Sequence, residues 1–126
     1  MNMADKIAVL VVEDEPITRM DVVEQLEEGG FKVFEASNAD RAIKILEAHP
    51  EICVLFTDVD MPGSMDGLKL AAAVRDRWPP IKIVIASGLR KINMDALPDN
   101  SRFFSKPYSM NEVAATMRSM VHRPLS

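Results

Sequence analysis

The sequence has little of several features that mark special classes of protein. Its single cysteine, Cys53, leaves no partner for an internal disulfide and suits a reducing compartment. No apolar run approaches the roughly 20 residues that a membrane-spanning helix needs, and residues 1–6 lack the apolar stretch of a signal peptide. The net charge of −4 gives no basic surface for nucleic acid. We therefore expect a cytoplasmic protein that binds neither membranes nor nucleic acid directly.

The size and composition of the chain are those of an ordinary globular domain. It has 126 residues, of which 48% are hydrophobic and 27% are charged. A chain of this length can bury one core but is too short for two. We expect a single domain over residues 1–126, with no effector domain.

Short apolar runs rich in Val and Ile alternate with helical patterns along the whole chain. Such runs are typical of buried strands in a parallel sheet, which need helical crossovers between them. The pattern predicts an α/β fold with a doubly wound, five-stranded parallel sheet and helices on both faces. The strand order 2-1-3-4-5, as in flavodoxin, is assumed from the fold class. The predicted strands are Ile7–Val12, Lys32–Ala36, Val54–Asp58, Lys82–Ser87 and roughly Arg102–Ser105.

Helix signals fill the gaps between most of these strands. Pro16 suits the first turn of a helix, Gly29 can end it, and Asn38 and Ser109 can cap two further helices. A third helix is predicted at Leu68–Trp78, and residues 88–100 support only a short or irregular helix. In the first helix the predicted apolar face recurs every three residues, at Ile17, Met20, Val23 and Leu26. In the last helix Met110, Met117 and Met120 could enrich a face for a partner.

Polar side chains stand at the ends of four predicted strands. Glu13 and Asp14 follow the first strand, Asp58 ends the third, Ser87 ends the fourth, and Lys106 follows the fifth. In open parallel sheets the ligand site lies beyond the carboxyl ends of the strands, so these groups should converge. Crowded carboxylates repel, which pushes at least one towards protonation unless a cation relieves the repulsion. Magnesium, which prefers carboxylate oxygens and water, fits such a set.

Four segments together resemble one known family. They are Val11–Pro16, Asp58–Pro62 with Met65–Gly67, Ala86–Gly88, and Lys106–Pro107. Each segment alone is a weak signal, but all four stand in the right order at the right strand ends. The chain resembles a response-regulator receiver domain of two-component signalling over essentially its whole length.

The resemblance implies a magnesium-dependent phosphoacceptor site. Asp58 would be the nucleophile that forms an aspartyl phosphate. Asp14, Asp58 and the backbone carbonyl of Asp60 would bind Mg²⁺ directly. Glu13, which stands where the family frequently has aspartate, would act mostly through a bound water.

Further residues would stabilise the phosphoryl group or change conformation in response to it. The Lys106 ammonium and the Ser87 hydroxyl would pair with phosphoryl oxygens. The peptide bond before Pro107 is typically cis in the family. Ser87 moving towards the phosphoryl group would let Phe103 turn inward, a packing-driven switch without the hydroxyl of the commoner tyrosine.

The implied function is signalling rather than enzymatic turnover. The partners would be a sensor histidine kinase or phosphotransfer protein and a downstream target protein, with a homodimer through the last helix face as a further option. Two alternatives stay open. Asp58-Val59-Asp60 is similar to the motif of aspartyl-phosphate phosphatases, although these place it after the first strand, and the fold could also serve as a phosphorylation-independent binding module.

Overall fold

The computed structural model describes residues 6–60, 66–88 and 101–121. The described residues leave out 61–65, which belong to a loop that the sequence predicts at 60–67, and 89–100, which belong to the irregular helix predicted within 88–100. Strands and helices alternate along the described chain, with β4 and β5 separated by the undescribed segment. In chain order the elements are β1 (Ala8–Val12), α1 (Pro16–Glu28), β2 (Lys32–Ala36), α2 (Ala39–Ala48), β3 (Val54–Asp58), α3 (Gly67–Arg77), β4 (Lys82–Ser87), β5 (Ser101–Ser105) and α4 (Met110–Val121).

All five strands form one parallel sheet in the order β2-β1-β3-β4-β5. This confirms the predicted flavodoxin-like order. Val12 of β1 lies opposite Thr57 of β3, and Asp58 lies opposite Ala86 of β4. The carboxyl ends of β1, β3 and β4 are therefore level with one another, and the residues that follow them share one edge.

Hydrophobic side chains pack against both faces of the sheet, because neighbouring strand residues point to opposite sides. One layer joins alternate residues of the central strands to α2 and α3, and the other joins the remaining residues to α1 and α4. Helices on both faces make the fold doubly wound, as predicted. In α4, Met117 and Met120 are buried in this second layer. These two methionines are therefore part of the core and are not available as a partner-binding face.

The predicted apolar face of α1 is correct at Val23 and Leu26, which pack against the core, and wrong at Ile17 and Met20. Val22 and Leu26 are buried, whereas Ile17 is 76% and Met20 66% exposed. At about 100° per residue, Ile17 and Leu26 are separated by about 180° around the helix, so they cannot share one face. The buried pair is spaced by four residues, which keeps both side chains over the sheet.

The helix ends follow the predicted capping residues. Pro16 is the first residue of α1, and the chain leaves that helix through Gly29 and Gly30, whose φ of 93° suits glycine. The Asn38 side chain accepts a hydrogen bond from the Arg41 amide (2.8 Å), and Ser109 accepts one from the Glu112 amide (3.4 Å).

Among the described residues, no helix is both long and apolar enough to cross a membrane.

Candidate functional site

Three carboxylates meet where β1 and β3 end. Glu13 and Asp14 directly follow β1, and Asp58 is the last residue of β3. One carboxylate oxygen from each of the three lies within 4.8 Å of the others. Glu13 and Asp58 are each only 7% exposed, while Asp14 is half-buried. Parallel strand pairing thus brings together three acids that are up to 45 residues apart in the chain.

The carboxyl group of Glu13 has an unusual pKa. The pKa of Glu13 is raised from 4.5 to about 7, chiefly by burial and to a smaller extent by the nearby Asp58 and Asp14. The Glu15 amide donates to Glu13 at 3.1 Å and opposes this shift, as does the charge of Lys106. Glu13 is therefore the acid of the group that is driven towards protonation when no cation is present.

Lys106 contacts the buried carboxylate of Asp58. Its Nζ donates to Asp58 Oδ2 at 2.9 Å, and its backbone amide donates to the carbonyl of Ser87 at 3.0 Å. Partial burial opposes the ammonium form, but the hydrogen bond to Asp58 and the charges of Asp58 and Glu13 outweigh it and raise the pKa of Lys106. The peptide bond between Lys106 and Pro107 is cis. Lys106 is therefore a charged donor at the site.

Ser87 lies at the site, but its hydroxyl is engaged by Asp60. Ser87 is 1% exposed, and its Oγ donates to Oδ2 of Asp60 at 3.1 Å. The Asp60 amide donates to Oδ1 of Asp58 at 3.1 Å. Asp58 therefore receives a hydrogen bond on each oxygen, from Lys106 and from Asp60. The sequence predicts a metal-binding role for the carbonyl of Asp60 and an influence of Asp60 on hydrolysis, but nothing in the sequence indicates that its side chain accepts from Ser87.

Tyr108 is a site residue that the sequence reasoning missed. Its ring packs edge-on against Phe56, with the centroids 5.8 Å apart. Together with Glu13, Asp58 and Lys106 it lines a cavity of about 10 Å³, which is enough for about one water molecule. Burial, followed by the charges of Glu13 and Asp58, raises the pKa of Tyr108 to about 12. Its position two residues after Lys106 was the signal that could have identified it.

Phe103, the predicted switch residue, is separate from the acidic group. It lies opposite Ile85 in the β4–β5 pair and is half-buried against the layer formed with α2 and α3. The strand pairing places it two residues before Ser105, which lies opposite Ser87. Phe103 and Ser87 are therefore linked through one pair of neighbouring strands.

Gly67 lets the start of α3 pack directly against the backbone of Asp58 and Val59. Its amide donates to the carbonyl of Val59 at 3.2 Å. A Cβ at this position would lie 2.1 Å from the carbonyl oxygen of Asp58 and 2.8 Å from Cα of Val59. The side chain of Asp66 caps α3 just before it by accepting from the Lys69 amide. The start of α3 therefore touches the end of β3, and only glycine fits there.

The donor set fits a hard divalent cation. The three carboxylates offer oxygens that lie within 4.8 Å of one another, so their negative charges repel. Mg²⁺ prefers carboxylate oxygens as ligands, with water in the remaining coordination positions. The side-chain carboxylate of Asp60 is outside this group of three and faces Ser87 instead. The acids Glu13, Asp14 and Asp58 are therefore the residues that could hold Mg²⁺.

Comparison with known proteins gives the class of this site. Residues 9–118 match the family model of the response regulator receiver domain. The chain belongs to the response-regulator receiver family and is a receiver domain of two-component systems. Members of this family are generally regulatory phosphoacceptors rather than true enzymes.

Individual relatives and solved structures agree with this assignment. The chain is 33% identical to the sensor kinase CckA of Brucella abortus over 129 aligned positions, covering 97% of this chain but only 13% of the kinase. It is 29% identical to the response regulator receiver protein CpdR of the same organism, covering 90% of this chain and 95% of CpdR. A receiver protein from Sinorhizobium medicae superposes with a TM-score of 0.87 at 23% identity, covering 95% and 98% of the two chains, which supports the fold.

Proposed function

We propose that Asp58 accepts a phosphoryl group in a Mg²⁺-dependent reaction, and that the phosphorylated domain signals by contact with another protein. One observation carries this proposal. The carboxylate of Asp58 lies between the acids Glu13 and Asp14 and the ammonium of Lys106, 2.9 Å away. An Asp58 oxygen would form a bond to phosphorus while the donor's bond to phosphorus breaks and the leaving group takes its electron pair.

The neighbouring residues would stabilise the charge that this transfer brings. The Lys106 ammonium can move from the Asp58 oxygen to a phosphoryl oxygen, and the Ser87 hydroxyl can donate to another. Asp14, Asp58 and the carbonyl of Asp60 would hold Mg²⁺, with Glu13 acting through water. Bound Mg²⁺ supplies positive charge that offsets both the clustered carboxylates and the phosphoryl oxygens.

The test is intact mass spectrometry after incubation with acetyl phosphate. With Mg²⁺, the wild type should gain the mass of one phosphoryl group, and Asp58→Asn should gain none. Omission of Mg²⁺ should abolish labelling of the wild type. Asp76→Asn, which removes an exposed acid at the far end of α3, is the matched control and should be labelled normally. Equal labelling of Asp58→Asn would move the acceptor to another residue.

We propose a sensor histidine kinase or a histidine phosphotransfer protein as the natural donor. The similarity to a sensor kinase named CckA and to a receiver protein named CpdR supports this class of partner. A downstream target protein and a cytoplasmic location belong to the same proposal. Single-domain organisation over residues 1–126 and a homodimer through α4 stay predictions.

Phosphorylation would be transmitted through Ser87 and Phe103. A phosphoryl group adds nearly two negative charges and three acceptor oxygens, which would draw the Ser87 hydroxyl inward. Phe103 would then change rotamer to fill the space, and the surface near β5 and α4 would change. A structure with beryllofluoride bound tests this step, and an unchanged Phe103 rotamer would contradict it. Slow loss of the phosphoryl group by hydrolysis at the same site would reset the domain.

A further inference from the structure

We infer that the side chain of Asp60 is a positioning residue that holds Ser87 in the resting state and thereby weakens binding of the phosphoryl group. The inference rests on the proposed function, since it concerns the same phosphoacceptor site. It assigns to Asp60 a role beyond the backbone carbonyl that the family resemblance implies.

The geometry places Asp60 between Asp58 and Ser87. The Asp60 amide donates to Oδ1 of Asp58, and its carboxylate accepts from the Ser87 hydroxyl, both at 3.1 Å. Ser87 is 1% exposed, so solvent cannot readily replace this partner. One residue thus contacts both the predicted acceptor and the hydroxyl that would bind the transferred group.

The hydroxyl of Ser87 can serve only one acceptor at a time. A serine side chain carries a single O–H donor, and in the resting structure that proton is directed to a carboxylate. Hydrogen bonds to ionised acceptors are roughly twice as strong as neutral ones. Ser87 must break this bond before it can donate to a phosphoryl oxygen, so the bond to Asp60 opposes phosphorylation.

The carboxylate of Asp60 lies on the Ser87 side of Asp58. Its oxygens are not among those of the three clustered acids, and one of them accepts from the Ser87 hydroxyl instead. When Ser87 leaves, Asp60 loses its hydrogen-bond donor, which adds to the cost of the active state.

The test is a double-mutant cycle on the affinity for beryllofluoride, a stable phosphoryl mimic, at saturating Mg²⁺. Isothermal titration would compare wild type, Asp60→Ala, Ser87→Ala and the double variant. Asp60→Ala should bind about tenfold more tightly than wild type, and Asp60→Asn, which keeps a neutral acceptor, should fall between them. In the Ser87→Ala background, Asp60→Ala should have a clearly smaller effect, because only the loss of a charge remains and there is no hydroxyl left to hold.

Two controls separate this role from charge and from folding. Asp21→Asn removes a negative charge that acts on Tyr108, but the Asp21 carboxylate is hydrogen-bonded to Gln25 and not to Ser87. The Asp21→Asn variant should therefore bind beryllofluoride as tightly as wild type. Thermal unfolding checks that each variant is folded. Equal affinities of wild type and Asp60→Ala, or an Asp60 effect of the same size without Ser87, would overturn the inference. If wild type itself failed to bind beryllofluoride and was not labelled by acetyl phosphate, the proposed function would fail instead.

Discussion

The buried carboxyl group of Glu13 should make the metal-free protein less stable as the pH rises. In the folded protein the pKa of Glu13 is raised from 4.5 to about 7. Between these values the folded state keeps a proton that the unfolded chain has lost, so the free energy of unfolding falls with increasing pH. At about 1.4 kcal/mol per pKa unit, the loss reaches about 3 kcal/mol above pH 7.

Glu13→Gln should remove this loss. Glutamine keeps an oxygen that can accept from the Glu15 amide but carries no charge, so at pH 8 the variant should be more stable than wild type by about 3 kcal/mol. At pH 4 the two proteins should differ little. The assay is urea unfolding from pH 4 to 8 in the presence of a chelator, because a bound cation would favour the ionised carboxylate.

A matched variant makes the comparison specific. Glu24→Gln removes an exposed carboxylate from α1 and should leave the pH dependence of unfolding unchanged. If Glu13→Gln showed the same decrease in stability between pH 4 and 8 as wild type, the assignment of the raised pKa to Glu13 would be wrong.

Two further substitutions test the packing that supports the site. Leu26→Ala should destabilise the protein by about 2–5 kcal/mol because Leu26 is buried. Met20→Ala should change stability by less than about 0.5 kcal/mol, because Met20 is exposed. Equal losses of stability in chemical denaturation would contradict the orientation of α1. Gly67→Ala should lower the free energy of unfolding by about 1–3 kcal/mol or more and slow phosphoryl labelling of Asp58, because the new Cβ would collide with the carbonyl oxygen of Asp58. Normal stability and normal labelling would show that the backbone can shift to accept the Cβ.

The sheet and the position of the acidic group could be predicted from the sequence. Buried parallel strands appear as continuous apolar runs, and four of the five predicted strands lead into a polar residue that the strand order brings to one edge. The sequence therefore predicts one location for Glu13, Asp14 and Asp58. The expectation that crowding drives one acid towards protonation also agrees with the raised pKa of Glu13, although burial is the largest cause.

Features that depend on side-chain geometry could not be predicted in the same way. The predicted apolar face of α1 was wrong at Ile17 and Met20, because a spacing of three residues, repeated three times, rotates by about half a turn around a helix. The bond from Ser87 to Asp60 joins two strand-end segments, and no periodicity reports which acceptor a hydroxyl selects. The enclosure of Tyr108 beside Phe56 depends on three-dimensional packing across elements that are far apart in sequence.

We propose that Asp58, and no neighbouring acid, carries the phosphoryl group. The most direct measurement is borohydride reduction of protein treated with acetyl phosphate and Mg²⁺, followed by peptide mass spectrometry, because borohydride converts an aspartyl phosphate to homoserine. We expect homoserine at position 58 and unmodified aspartate at Asp14 and Asp60. Homoserine at either of those positions, or none at position 58, would contradict it.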